Sequence, residues 1–191
     1  MNIIITGAAG FVGRHLARLL LSRNHSIVGI DINQDHGLGF PIQGVDLTKQ
    51  QQVDQLIKQV KPEGIFHLAA QASVSYSWQN PVDTFRTNVF GGINLLDSVK
   101  KFSPGARVLM VCTAEEYGQP PCHQAIDEQF PLNPQNPYAI SKAALDFFAL
   151  TYSQAYQLQV LVTRSFNHIG PGQSDRFVCS DFARQIACIE Q

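Results

Sequence analysis

Ile3-Ile4-Ile5-Thr6-Gly7-Ala8-Ala9-Gly10-Phe11-Val12-Gly13 is the segment from which the architecture can be read. The three isoleucines form a short β-branched run, which predicts a buried strand. Beyond the glycines, Val12, Leu16, Leu19 and Leu20 recur at helical spacing. The segment therefore predicts a strand, a tight turn and a helix. Gly7, Gly10 and Gly13 fall in the order G-x-x-G-x-x-G inside that turn. Glycine suits all three positions because the chain turns sharply, a ligand must approach the backbone, and the helix must pack close to the strand.

Free N–H groups at the start of the following helix, around Phe11 and Val12, would receive a pyrophosphate. Asp31 ends the next apolar run, Ile27-Val28-Gly29-Ile30, 18 residues after Gly13. That spacing suits a carboxylate holding the 2′-hydroxyl of an adenosine ribose. A carboxylate there repels a 2′-phosphate, so NAD(H) is favoured, with NADP(H) accommodated if Arg14 pairs with the phosphate. Asp46 has two readings: an acceptor for the adenine amino group, or a cap for the next helix.

Outward from this unit, strand-like and helix-like segments alternate to the end of the chain. A short strand is expected near Gln43-Gly44-Val45, then a helix marked by Val53, Leu56, Ile57 and Val60. Ile65-Phe66-His67-Leu68 reads as a strand, and Pro81 opens a long helix carrying Phe85, Val89, Ile93 and Leu96. Val108-Leu109-Met110-Val111 is a further strand. A proline-rich loop through Pro120, Pro121, Pro131, Pro134 and Pro137 follows, long enough to suggest a functional crossing. A helix from about Tyr138, a strand over 158–163 and a helix through Val178, Phe182, Ile186 and Ile189 complete the pattern. The expected fold class is α/β, a doubly wound parallel sheet.

The chain's 191 residues carry 14 Lys+Arg against 15 Asp+Glu, a formal net charge of −1. That balance gives no global field for nucleic acid or an anionic membrane surface. With 45% hydrophobic and 15% charged residues, the composition is that of a folding chain and not a disordered one. No stretch reaches the roughly 18 to 20 apolar residues that cross a bilayer, and the start lacks a secretory signal pattern; a cytoplasmic location is the default expectation. Cys112, Cys122, Cys179 and Cys188 form no metal-type C-x-x-C pair and are read as reduced thiols, with Cys112 and Cys188 expected in the core. No metal site is expected.

Tyr138-Ala139-Ile140-Ser141-Lys142 sets a phenol and an ammonium four residues apart on one helical face. Reduction at a carbonyl needs a proton donor for the developing alkoxide, and a nearby cation lowers a phenol's pKa. Thr113, just past the strand ending at Val111, adds a hydroxyl at the edge where parallel sheets bind ligands. Thr113, Tyr138 and Lys142 are the catalytic candidates.

These motifs, with His67-Leu68-Ala69-Ala70-Gln71 and Asn88-Val89-Phe90-Gly91, together resemble the extended short-chain dehydrogenase/reductase family of nucleotide-sugar epimerases, dehydratases and reductases. The resemblance spans nearly the whole chain in the family's order. It implies a nicotinamide-dinucleotide site comprising Gly7, Gly10, Phe11, Val12, Gly13, Asp31, Asp46, Leu47, Ala69, Ala70, Tyr138 and Lys142, with Asn88 supporting the active site from its helix. The segments from His67 to Trp78, from Ser165 to Gln173 and from Phe177 to Ile186 look most like the GDP-4-keto-6-deoxy-D-mannose reductases. That likeness implies a GDP-linked 4-keto-6-deoxy sugar as substrate, GDP-D-rhamnose as product, and Gln71, Thr113, Glu115 and Asn167 as substrate contacts. Homodimers are common in the family.

Cys112 and Thr113 stand where many relatives have two serines, and Ser165 where proline is common. Glu115 occupies the place of a dehydratase acid/base, so a 4,6-dehydratase is the nearest alternative, followed by a 4-epimerase. Family members usually run to about 300 residues, whereas about 150 suffice for one domain. Residues 1–165 are read as the dinucleotide domain with its catalytic residues and 166–191 as the beginning of a substrate lobe. A dinucleotide-binding protein without turnover is the non-enzymatic alternative.

Overall fold

Six β-branched or apolar segments pair side by side in the computed structural model, which describes residues 1–32, 39–120 and 125–190. They are β1 (Asn2–Thr6), β2 (Ser26–Asp31), β3 (Ile42–Gly44), β4 (Gly64–His67), β5 (Arg107–Thr113) and β6 (Gln159–Ser165). Every pairing is parallel and the spatial order is β3-β2-β1-β4-β5-β6. The doubly wound expectation holds. Strand order reverses between β1 and β4, which opens a crevice beyond their carboxyl ends. Thr6, Asp31, His67 and Thr113 are the last residues of their strands and lie along that edge.

Around the sheet run α1 (Phe11–Ser22), α2 (Gln50–Val60), α3 (Val74–Gln79), α4 (Pro81–Phe85), α5 (Gly91–Phe102), α6 (Pro137–Tyr156) and α7 (Val178–Ile189). Alternation along β1 divides the core. Ile4 joins Ile65, Val108, Met110, Ile57, Leu95 and Leu145 beneath α2, α5 and α6. Ile3 and Ile5 point the other way, to Ile27, Ala8 and Ala17. Ile4, Leu95 and Leu145 are fully buried, and each such side chain contributes about 1.5–3 kcal/mol relative to exposure.

Pro81 opens its helix as expected, but the helix is not uniform. Between α4 and α5 a π-helical segment, Arg86–Phe90, widens one turn. Its apolar spacing still reads as ordinary helix, so the widening is invisible in the pattern. The widened turn buries Asn88, a placement typical of π-turns near functional sites. The six-residue α3 was also not anticipated; Ser73 caps it by accepting a hydrogen bond from the Tyr76 N–H at 3.2 Å.

Cys112 is buried, as expected. Cys188 is not in the core: it is exposed, as is Cys179, because α7 has no buried residue. Its apolar stripe, with Phe182 58% and Ile186 56% exposed, packs on no described core. Cys122 and Pro121 lie outside the described residues. No described helix is long and apolar enough to cross a membrane.

Candidate active site

At the crevice, the glycine turn and the loop after β4 touch. Gly7 has φ +68°, and a Cβ added there would stand 2.8 Å from the Ala69 backbone nitrogen. A side chain is excluded on both counts. A Cβ on Gly13 would overlap the Gly7 carbonyl, so the third glycine is required for α1 to close on β1. Gly10 N–H donates to that same carbonyl at 3.0 Å. Asp31 accepts a hydrogen bond from the Ala9 N–H at 3.0 Å, which brings its carboxylate to the turn. The Arg14 Nε–H donates to the Ala9 carbonyl at 2.7 Å, so this arginine is tied to the turn as well.

Asp46 spends one carboxylate oxygen on Thr48, accepting from its N–H at 2.9 Å and its hydroxyl at 2.7 Å. It shapes the turn before α2 but does not cap that helix, whose N-cap is Lys49 without a side-chain hydrogen bond. Leu47 is buried, and its carbonyl accepts from the Asn94 side chain at 2.8 Å. Thr6 Oγ1 accepts from the Ala69 N–H at 3.1 Å and lies 2.9 Å from His67 Nδ1. Burial, followed by the charge of Lys142, pulls His67 down to about 3, so its imidazole is neutral.

Asn88 holds the loop beyond Ala70. Its Oδ1 accepts from the Gln71 N–H at 2.8 Å, while its Nδ2 donates to the Gln71 carbonyl at 3.1 Å and to Ser141 Oγ at 2.9 Å. Ser141 in turn donates to the Tyr138 carbonyl at 2.6 Å. One buried carboxamide thus links the loop after β4 to the first turn of α6. The buried Gln71 Oε1 has no hydrogen-bond partner among the described residues.

Thr113 and Tyr138 meet across the mouth of the crevice. Thr113 caps the short turn Ala114–Tyr117, its Oγ1 accepting from the Glu115 N–H at 3.3 Å. The helix α6 starts at Asn136-Pro137, with Asn136 Oδ1 accepting from the Ala139 N–H at 2.8 Å. Asn136 Nδ2 also donates to Glu115 Oε2 at 3.0 Å, tying Glu115 to the helix start two residues before Tyr138. Burial pushes the Tyr138 phenol up to about 12, opposed by the neighbouring Thr113 hydroxyl.

Lys142 is 3% exposed, and its Nζ donates to the Val111 carbonyl at 2.8 Å. Burial lowers its pKa. The net shift of the phenol is upward, by burial, whereas a neighbouring cation was expected to lower it.

Behind Thr113 lies a charge cluster absent from the sequence reading. Glu116 Oε1 accepts from the Thr113 N–H at 3.1 Å, and its Oε2 is 3.6 Å from Arg164 Nε. Arg164 Nε donates to Asp146 Oδ2 at 2.7 Å. Both carboxylates are fully buried. Burial raises Glu116 to about 7, opposed by the Thr113 N–H and reinforced by the neighbouring Asp146 carboxylate. The spacing Thr113-x-x-Glu116 is a capping-box signal that could have revealed the first of these contacts.

Asn167 is exposed and stands elsewhere along the edge. It lines a cleft of about 460 Å³ with Phe11, Val12, His15, His168 and Pro171. His15 Nε2 lies 2.9 Å from the Pro171 carbonyl and so holds this loop against α1. The cleft's lining includes Phe11 and Val12 of the glycine turn but neither Thr113 nor Tyr138.

The sequence model of the GDP-mannose 4,6-dehydratase family matches residues 4–191. A GDP-6-deoxy-D-mannose reductase from Pseudomonas aeruginosa is 33% identical over 191 residues, covering 100% of this chain and 60% of that protein. A UDP-glucuronic acid decarboxylase 1 from Xenopus tropicalis is 33% identical over 203 residues, with 100% and 47% covered. In structure, the NAD complex of UDP-glucose 4-epimerase from Thermus thermophilus matches with a TM-score of 0.89 and 32% identity, over 96% of this chain and 61% of that one. This chain thus spans about half to three-fifths of the length of these relatives.

Proposed function

We propose that this chain, which belongs to the GDP-mannose 4,6-dehydratase family of extended short-chain dehydrogenases/reductases, reduces the C4 ketone of GDP-4-keto-6-deoxy-D-mannose to GDP-D-rhamnose with a reduced nicotinamide dinucleotide. The observation that carries the chemistry is the half-buried Tyr138 phenol set beside the Thr113 side chain at the carboxyl edge of the sheet. The choice of sugar rests on the 33% identity to a GDP-6-deoxy-D-mannose reductase along the entire chain.

The crevice fits a dinucleotide. Gly7, Gly10 and Gly13 leave the backbone bare where a Cβ at Gly7 would crowd Ala69, and Asp31 reaches the same turn through Ala9. Those residues, with Phe11, Val12, Asp46, Leu47 and Ala70, are the proposed cofactor contacts. Asp31 favours NAD(H) over NADP(H) by charge. When bound, the reduced nicotinamide supplies the hydride for the sugar's C4 carbon. Tyr138 donates the proton to the C4 oxygen, and Thr113 orients that oxygen by hydrogen bonding. Lys142, fixed on the Val111 carbonyl, keeps a positive charge beside the phenol as phenolate develops. Gln71 Oε1, buried and without a described partner, is available to a sugar hydroxyl. Asn167, beside the glycine turn, suits the nucleotide end of the substrate better than its reacting carbon.

A dehydratase reading is favoured by one observation, the anchoring of Glu115 on Asn136 next to Tyr138. Pairing with a second copy is supported by the exposed Phe90 and Phe147 on the helices following β4 and β5, 57% and 60% exposed.

The test is a coupled assay with GDP-4-keto-6-deoxy-D-mannose and NADH or NADPH. Stoichiometric loss of reduced nucleotide, with GDP-D-rhamnose as product, is expected. No loss of reduced nucleotide with this sugar, together with NAD-supported conversion of GDP-mannose, points to the dehydratase or epimerase. Dinucleotide binding without any conversion points to a binding protein.

A further inference from the structure

Glu116 and Asp146 leave two buried oxygens unexplained. Glu116 Oε2 and Asp146 Oδ1 are each inaccessible to solvent and lack a hydrogen-bond partner among the described residues. The remaining oxygen of each is committed, Glu116 Oε1 to the Thr113 N–H and Asp146 Oδ2 to Arg164 Nε. Two buried carboxylates face a single guanidinium, itself 17% exposed. Both carboxylates converge on Arg164 Nε, at 3.6 and 2.7 Å, and two like charges gathered on one nitrogen in a low-dielectric setting disfavour double ionisation; one proton between them would satisfy the orphaned oxygens.

We propose that Glu116 and Asp146 share one proton in a carboxylic acid–carboxylate hydrogen bond, and that this proton holds Thr113 in place, making Glu116 a positioning residue for the site. The inference rests on the proposed role of Thr113 for its functional consequence, though not for the proton itself. With the proton present, the pair and Arg164 sum to zero charge. Loss of the proton to solvent past the partly exposed Arg164 leaves a net buried negative charge. Repulsion then drives Glu116 away from Asp146. Besides its ion pair with Arg164 at 3.6 Å, Glu116 is hydrogen-bonded to the Thr113 N–H, so the displacement is transmitted to the residue that orients the substrate oxygen.

The charged and titratable groups around Glu116 come from every neighbouring element. They are Arg164 of β6, Asp146, Tyr138 and Lys142 of α6, Cys112 of β5, and Glu115 and Tyr117 on its own turn. Tyr138 titrates near 12, and burial raises the Cys112 thiol out of the neutral range. Lys142, lowered by burial, is the one competitor whose titration must be separated.

Glu116→Gln separates it. Glutamine keeps an oxygen for the Thr113 N–H and offers a permanent N–H to Asp146, mimicking the protonated acid, while Lys142 is untouched. The primary measurement is the 15N–1H resonance of the Thr113 amide between about pH 5 and 9, which requires no turnover. An inflection near neutrality is expected in the wild-type chain and its absence in both Glu116→Gln and Asp146→Asn. A Thr113 resonance that does not move with pH in the wild type overturns the proposal. So does an inflection that persists in Glu116→Gln, since it then belongs to Lys142.

The second arm reads kcat/KM for ketone reduction. Wild-type values should fall about tenfold per pH unit above the pair's titration, and Glu116→Gln should lose that limb. A limb unchanged in Glu116→Gln contradicts the positioning role. No turnover at any pH in either protein refutes the reductase reading alone, because the amide titration still decides the shared proton.

Discussion

The two halves of the crevice bind by different physics. The glycine turn works through backbone: Gly7, Gly10 and Gly13 clear space, and the described polar contacts there are N–H and carbonyl groups reached by Asp31 and Arg14. The half proposed to be catalytic, at the end of β5 and the start of α6, is built from buried side chains: Lys142, Glu116, Asp146 and Asn88 are all at most 3% exposed. A backbone cradle is insensitive to pH, whereas a cluster of buried charges is not. Cofactor affinity should therefore be steady across the range in which turnover changes.

Removing the proton donor should produce the largest divergence between the halves. Tyr138→Phe should lower turnover by about 10²- to 10⁴-fold, with NADH affinity by fluorescence titration within about twofold of wild type. Equal losses in both would break the comparison. Gly7→Ala should do the reverse, losing NADH binding and about 1–3 kcal/mol of stability in denaturant melts, since the new Cβ meets Ala69 at a positive φ. Asn88→Ala, which unties Gln71 from Ser141, should cost about 1–3 kcal/mol and raise KM for the sugar more than Kd for NADH. The smallest effect is expected for Asp31→Ala, about 1.4 kcal/mol of lost preference for NADH over NADPH, read as a tenfold change in the ratio of affinities.

Stability against pH sharpens the same contrast. Glu116 is raised from an ordinary 4.5 to about 7, so the folded protein holds a proton that the unfolded chain has lost; its contribution falls as pH rises through that window. His67 is lowered from 6.5 to about 3, so its contribution is present above 6.5 and falls as pH drops. Between 4.5 and 6.5 the two slopes oppose each other. Glu116→Gln should expose the histidine's slope, a gain of about 1.4 kcal/mol of stability per pH unit rising through that window. A stability profile unchanged by the substitution would contradict the buried-proton account.

The same contrast explains what the chain made legible. Glycine spacing, a strand-ending aspartate and a phenol four residues from a lysine are local patterns, and each encodes a constraint satisfied within a turn or two. The parallel fold followed from strands and helices alternating along the chain. Asn88 was named as a support only through resemblance; its grip on Gln71 and Ser141 depends on a π-helical turn that hydrophobic periodicity does not register. Glu116, Asp146 and Arg164 come from a turn, a helix and a strand well apart in the chain, and only folding brings them together. Cys188 was misplaced because its apolar stripe is real, while α7 has no described core to bury it against.

Under the proposed function, this crevice moves hydride from a nicotinamide to the C4 carbon of a GDP-linked keto sugar. This transfer is tested most directly by supplying NADH carrying two deuteriums at nicotinamide C4 together with GDP-4-keto-6-deoxy-D-mannose, and locating the label by mass spectrometry and NMR. Deuterium at C4 of the sugar, in one-to-one proportion with oxidised nucleotide, is the predicted result. Both deuteriums retained in the nicotinamide while the sugar is converted, or a product free of deuterium at C4, would contradict it.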